Sequence, residues 1–131
     1  MSIVTKKKGW ISWGFDLTSF GSADDFQALL SRHGLSRYKK VAHKDYAGKH
    51  IYNTFEWSGD GLTIITANNP LTGEYSGGNK QREPEKGYAS YIGIDGRPDK
   101  VKALVEDIKG TTRDIKDESP NERNNDGVKL L

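Results

Sequence analysis

The chain of 131 residues contains no cysteine. Disulfide bonds, cysteine zinc sites and thiol nucleophiles are therefore excluded, and the absence fits a reducing compartment such as the cytoplasm. No apolar run approaches the roughly 18 residues that a membrane-spanning helix needs, and no apolar segment of a secretory signal follows the basic N-terminus. We therefore expect a cytoplasmic protein that does not associate with membranes.

Several motifs that carry chemistry are also missing. The sequence has no GxxxxGK[ST] phosphate-binding loop, no GxSxG nucleophile motif, no HExxH zinc motif and no loop with the acidic spacing that binds calcium. Because these motifs are absent, we expect the protein to bind no cofactor and no metal. They also make a non-enzymatic protein the leading interpretation.

What the chain does contain is an uneven distribution of charge. The net charge is only +2, but the stretch 32–50 holds six lysines and arginines, all three histidines and a single acid, Asp45. From Glu106 onward, acidic residues outnumber basic ones. A basic centre and an acidic C-terminal segment indicate that a polyanionic partner, if there is one, binds the centre.

Hydrophobic periodicity predicts an α+β fold. Alternating apolar residues are typical of strands, and apolar residues at i, i+3, i+4 and i+7 are typical of amphipathic helices. The order β-α-β-β-β-β-α predicts a two-layer sandwich of about five mainly antiparallel strands, with both helices on one face. The predicted strands span 10–20, 38–46, 50–57, 62–68 and 88–95, and the helices span 23–33 and 98–110.

The domain is expected to cover residues 1–110. Residues 111–131 have almost no apolar periodicity and read as a polar, mobile tail. Residues 69–87 read as a long loop rich in glycine, and loops of this length within a domain are usually functional or disordered. The oligomeric state is not predicted by the sequence.

The first candidate site is the basic hairpin, in which tyrosines alternate with cations. Phosphates require positive charge and several hydrogen-bond donors, and bases require flat rings on which to stack. Lysine on an exposed edge strand also has a purely structural use, because it prevents aggregation. The predicted ligand contacts on the hairpin are Arg37, Lys39, Lys44, His50 and Tyr52.

The glycine-rich loop supplies the second set of candidate contacts. Backbone amides near Gly77 and Gly78 could cradle an anion, with Lys80, Arg82 and Lys86 as the charged contacts. Together with the hairpin, this loop predicts a small non-enzymatic module that binds single-stranded nucleic acid or a nucleotide.

Two other functions remain open at this point. The first is a protein-interaction module, such as an inhibitor or an adaptor of the kind that mobile elements encode, with Trp10 as an exposed anchor. The second is a small ribonuclease-like enzyme in which His43 and His50, facing each other across the hairpin, work with Glu56 as general acid and base. The third histidine, His33, lies on the apolar stripe of the first helix and is expected to be partly buried and hydrogen-bonded.

Overall fold

The computed structural model describes residues 9–15, 17–75, 86–111, 114–116 and 119–121, which form nine strands and two helices. In chain order they are β1 (Ile11–Phe15), β2 (Leu17–Ser19), α1 (Ala23–Arg32), β3 (Arg37–Lys44), β4 (His50–Gly59), β5 (Leu62–Thr66), β6 (Tyr88–Ala89), β7 (Ile92–Gly96), α2 (Pro98–Thr111), β8 (Asp114–Lys116) and β9 (Ser119–Asn121).

The strands form two antiparallel sheets. The larger sheet has the order β3-β4-β5-β7-β1-β9, and the smaller has the order β6-β2-β8. All strand pairs in the described part of the chain are antiparallel. The predicted α+β class, with a mainly antiparallel sheet and two helices, is confirmed.

Helix α1 begins and ends where its sequence signals predict. The Ser22 hydroxyl accepts a hydrogen bond from the Asp25 amide at 3.1 Å, so it caps the first turn. Gly34 follows the helix with a φ of +67°, the left-handed conformation that glycine adopts readily. The apolar stripe of the helix, which includes Phe26 and Leu29, is buried.

Both helices cover the same face of the larger sheet. In α2 the apolar residues at helical spacing are fully buried, and they join one core cluster with α1 and the sheet. Phe26 packs edge-on against Trp57 of β4 at a centroid distance of 5.2 Å. Each large apolar side chain buried in this way stabilises the fold by roughly 1.5–3 kcal/mol. The stripe of α2 consists of Val101, Leu104, Val105 and Ile108.

Two predicted strands are each divided in two. The predicted strand 10–20 forms β1 in the larger sheet and β2 in the smaller one, and the predicted strand 88–95 forms β6 and β7 in the same two sheets. Alternating hydrophobicity does not reveal such a transfer, because both halves keep one side toward a common core. Phe15 and Phe20, on either side of the first division, are both buried.

Part of the predicted tail joins the sheets. The backbone of β8 pairs with β2, and the backbone of β9 pairs with β1. Strand pairing relies on backbone hydrogen bonds, so a segment without apolar periodicity can still add to a sheet edge. The remaining residues after Thr111 lie outside the described part of the chain. Within that part, neither helix has the length and apolar character needed to cross a membrane.

Candidate binding face of the sheet

The candidate site lies on the side of the larger sheet that faces away from the helices, which we call the open face. Successive residues of a strand point to opposite sides, and Phe55 and Trp57 point toward the helices. Tyr52, Thr54 and Glu56 therefore point to the open face. Side chains on this face are half-buried or exposed.

Strand β3 carries the basic residues of this face. Lys39 lies directly opposite Glu56, and His43 lies opposite Tyr52. Because directly opposed residues share a face of the sheet, Arg37, Lys39 and His43 also belong to the open face. The sequence-predicted cations and rings are thus partly brought together: Arg37, Lys39 and Tyr52 share one side of the hairpin.

The open face is concave and holds a hollow of about 690 Å³. It extends from β3 across the sheet to β7, and its rim includes the ring of Trp10, which is only partly exposed. Trp10 therefore borders the same face as the basic hairpin. The ionisable residues that line the hollow are Arg37, Lys39, His43, Glu56, Asp60 and Asp95.

Two rings of the hairpin form a stacked pair. The imidazole of His43 and the phenol ring of Tyr52 are nearly parallel, at 14°, with their centroids 4.5 Å apart. His43 Nε2 and Thr54 Oγ1 form a hydrogen bond of 2.9 Å, which fixes the orientation of the imidazole. Tyr52 remains 38% exposed, so part of its ring is available to a ligand.

Charge is sorted across this face. The cations lie on the outer strand, where Arg37 donates a hydrogen bond to the Gly59 carbonyl at 3.1 Å. The acids lie further in: Glu56 on β4, and Asp95 on β7, where Asp95 accepts a hydrogen bond from the Ser12 hydroxyl at 2.5 Å. The positive charge of this face is therefore concentrated on β3, and the negative charge lies closer to the centre of the sheet.

Two glycines lie side by side on the open face. Gly14 and Gly93 are direct partners in β1 and β7, so neither position contributes a side chain of its own. The ring of Tyr91 lies across Gly93, within 3.0 Å of the position that a Cβ atom would occupy. Tyr91 is 48% exposed and adds a second aromatic surface that sequence reasoning missed. The available signal was glycine inside a strand, which often marks a close approach.

The lysines of β3 are divided between the two faces. Lys40 points away from the open face, and its Nζ forms an ion pair of 2.7 Å with Glu74. The hydrogen bond that Lys40 donates to Glu74, together with the negative charge of that carboxylate, raises the pKa of Lys40. Lys44 is exposed at the end of β3, where its backbone partner is His50.

The histidine pair predicted for catalysis is not aligned across the hairpin. His43 lies opposite Tyr52, because Ile51 is an extra residue between the pairs His43–Tyr52 and Lys44–His50. This bulge breaks the alternation of faces before His50, whose side chain lies outside the described part. Glu56 is four residues beyond Tyr52 along the strand, roughly 14 Å away at the usual rise.

The ligand contacts predicted on the glycine-rich loop are not among the residues that line the hollow, and two of them lie outside the described part of the chain. Lys80 and Arg82 fall outside the described residues. Lys86 is exposed in the turn before β6, where the Gly87 amide donates to the Pro70 carbonyl at 2.7 Å. In the described chain, no three histidine, aspartate or glutamate side chains lie close enough together to hold a metal ion.

Comparison with known proteins does not assign the chain to a family. Neither a protein-family model, nor a curated protein, nor a solved structure matches the chain significantly.

Proposed function

We propose that this protein binds single-stranded nucleic acid on the open face and does so without catalysis. The observation that carries the proposal is that two cations, Arg37 and Lys39, share one solvent-facing side of the hairpin with the stacked rings of His43 and Tyr52. Phosphate groups need the cations, and unstacked bases need the aromatic rings.

The arrangement of these groups indicates how a strand would run. The guanidinium of Arg37 and the ammonium of Lys39 are two residues apart on β3, so they would contact successive parts of a phosphate backbone. A base would stack on Tyr52, whose exposed ring is already held on its other side by His43. Glu56 and Asp95 repel phosphate from the middle of the sheet, which keeps the backbone on the outer strand.

The open shape favours a single strand over other anionic ligands. An isolated nucleotide is usually held in an enclosed pocket that buries most of its surface, whereas this hollow extends across the face of the sheet from β3 to β7. In a duplex the bases are paired and stacked on each other, so their faces are not available to Tyr52. A single strand offers both phosphates and free base faces.

Neighbouring lysines on opposite faces provide a matched test. We expect Lys39→Gln to weaken binding of a fluorescent single-stranded oligonucleotide by severalfold at low salt, because it removes a phosphate contact. Lys40→Gln removes the same charge from the same strand but on the helix side, where Lys40 pairs with Glu74. It should leave the affinity unchanged. Equal losses in the two variants, or no saturable binding by the wild type at low salt, would overturn the proposal.

The aromatic contact is tested separately. Replacing Tyr52 by Ala should reduce the affinity by about tenfold, since one stacked base contributes roughly 1–3 kcal/mol. Tyr52→Phe keeps the ring and should retain most of the affinity. Measuring fluorescence anisotropy for both variants distinguishes stacking from a hydrogen bond of the phenol group. If both variants bound like the wild type, the base would not be stacking at this position.

A further inference from the structure

The outer edge of β3 presents backbone groups, and these are distinct from the side chains that the proposed nucleic-acid site uses. In the described sheet β3 is the terminal strand, with β4 on its inner side. Its eight residues are mostly exposed. A terminal strand presents a row of backbone N–H and C=O groups that can pair with another extended chain.

An apolar groove runs beside this edge on the helix side. It has a volume of about 440 Å³, and we call it the edge groove; its lining includes Leu30, Leu35, Tyr38, Trp57, Asn69 and Leu71. The ring of Tyr38 packs on Trp57 at a centroid distance of 5.2 Å, and its hydroxyl accepts a long hydrogen bond of 3.4 Å from Asn69 Nδ2. Tyr38 nevertheless remains 48% exposed, so the groove has an aromatic wall that solvent reaches.

The two sides of the β3 edge differ in charge. On the groove side Glu74 neutralises Lys40, and the neighbouring surface is apolar. On the open-face side Arg37 and Lys39 have no acidic side chain in ion-pair contact within the described chain. β3 itself contains no acidic residue.

We propose that an extended peptide of a partner protein adds to the β3 edge as a further strand, with apolar and acidic residues in alternation. Successive side chains of such a strand would point alternately to the two faces of the sheet. The apolar set would enter the edge groove beside Tyr38. The acidic set would lie next to Arg37 and Lys39, where opposite charges on neighbouring strands are favourable.

The same charges select this partner over a second copy of the chain. Two β3 strands in register would bring like charges together, and like charges directly opposite each other destabilise a strand pair. Lysine on an edge thus blocks self-association but leaves the edge open to an acidic peptide. A partner of complementary charge is therefore the occupant that β3 fits.

A synthetic peptide of about ten residues, the upper end of common strand lengths, can test this. The probe alternates Glu with Val, carries blocked ends and a fluorescent label, and is compared with a peptide of the same composition in shuffled order. We expect the alternating peptide to bind at least tenfold tighter in fluorescence anisotropy. Equal affinity of the two peptides would overturn the proposal, because charge alone would then explain binding.

Backbone methylation of the peptide identifies strand addition directly. Only every second residue of an added strand directs its N–H toward the edge that it joins. Methylating the backbone nitrogens at odd positions or at even positions should therefore give unequal results, with binding lost for one set and kept for the other. Equal loss for both sets would exclude pairing with β3.

Variants of the groove keep this proposal separate from the proposed function. Leu71→Gln should weaken the alternating peptide by about tenfold and leave oligonucleotide affinity unchanged, because Leu71 lines the edge groove and is not among the residues that line the hollow of the open face. Gln27→Arg is a second variant that obstructs the groove from the exposed surface of α1 and spares the core. Unchanged peptide binding in both folded variants would overturn the proposal. Loss of oligonucleotide binding in Lys39→Gln bears on the open face, whatever the groove variants do.

Discussion

At the scale of single residues, a carboxylate joins the two helices. Asp107 of α2 receives two hydrogen bonds from the guanidinium of Arg32, at 2.9 and 3.0 Å, and lies 2.7 Å from His33 Nε2. Partial burial alone would raise the pKa of Asp107. The hydrogen bonds from Arg32 and His33, and their charges, outweigh it and hold the pKa below its ordinary value. The ionised form therefore stabilises the folded chain.

This cluster makes stability depend on pH in a stated direction. A carboxyl group with a lowered pKa contributes its stabilisation above the ordinary value of about 3.9, and the contribution disappears as the pH falls through the lowered value. Asp107→Asn should cost about 1 kcal/mol in the free energy of unfolding at pH 7. In urea unfolding, the difference from wild type should shrink between pH 5 and pH 2, and a constant difference would contradict this account.

Gly59 allows a close backbone contact that a residue with a Cβ atom would prevent. A Cβ atom on Gly59, at the end of β4, would overlap the carbonyl oxygen of Gly34, which cannot rotate away because it belongs to the backbone. Gly59→Ala should therefore destabilise the protein by about 2 kcal/mol, as measured by chemical unfolding. The control is Gly110→Ala in α2, where the added methyl group meets nothing within 4 Å. That change should be neutral or stabilise by up to about 1 kcal/mol.

Sequence reasoning identified the local partners of residues better than the distant ones. Ser22 was predictable as a helix cap because its partner is three residues away. His33 was predicted to be hydrogen-bonded and partly buried, and this is confirmed, but its partner Asp107 is 74 residues away. Periodicity within one element does not specify a contact between two elements. The contact between His33 and Asp107 could therefore be found only from the three-dimensional fold.

At the scale of elements, the hairpin extends beyond the sheet as an arm. The arm comprises residues 41–54, since β4 pairs with β5 only from Phe55 onward. Its turn is held by Asp45, whose Oδ1 accepts hydrogen bonds from the amides of Ala47 and Lys49, both at 2.9 Å. Tyr46 at the tip is fully exposed. The arm thus depends on its turn rather than on the core.

Removing the turn contact should loosen the arm alone. Asp45→Ala leaves two amides without their acceptor, at a cost of about 1 kcal/mol, or roughly fivefold in local opening. Hydrogen exchange should accelerate in residues 41–54, with little change in the amides of β5 and β7. Asp45→Asn keeps the accepting oxygen and should exchange almost as slowly as wild type. Equal acceleration throughout the sheet would show that the arm and the core open together.

In the arm, the regular alternation of side chains no longer indicates which face of the sheet a residue occupies. Regular alternation would put Ile51 on the buried side with Phe55 and Trp57, but Ile51 is 44% exposed. It lies beyond the part of the sheet that the helices cover, and it is the extra residue of the bulge. Alternation assumes that strands pair one residue to one, so a bulge cannot be read from it. Where pairing is regular, from Thr54 to Trp57, the side chains do alternate between the two faces.

At the scale of the whole molecule, charge position matters more than total charge. A net charge of +2 gives little general attraction for nucleic acid. Arg37 and Lys39 are nonetheless concentrated on the outer strand of the open face, while Lys102 and Lys109 lie on the exposed surface of α2. Composition could predict the total, but only the strand order reveals which lysines share a surface with the rings.

Salt dependence separates these two kinds of charge. If Arg37 and Lys39 each neutralise one phosphate of a single strand, removing both should make the slope of log affinity against log salt less negative by about 1.4. The test variant is Arg37→Gln with Lys39→Gln. The control, Lys102→Gln with Lys109→Gln, changes the net charge equally but lies on the helix side, so its slope should match wild type. Equal slopes in the two double variants would mean that oligonucleotide affinity depends on the total charge of the protein. The open face would then be excluded as the specific binding site.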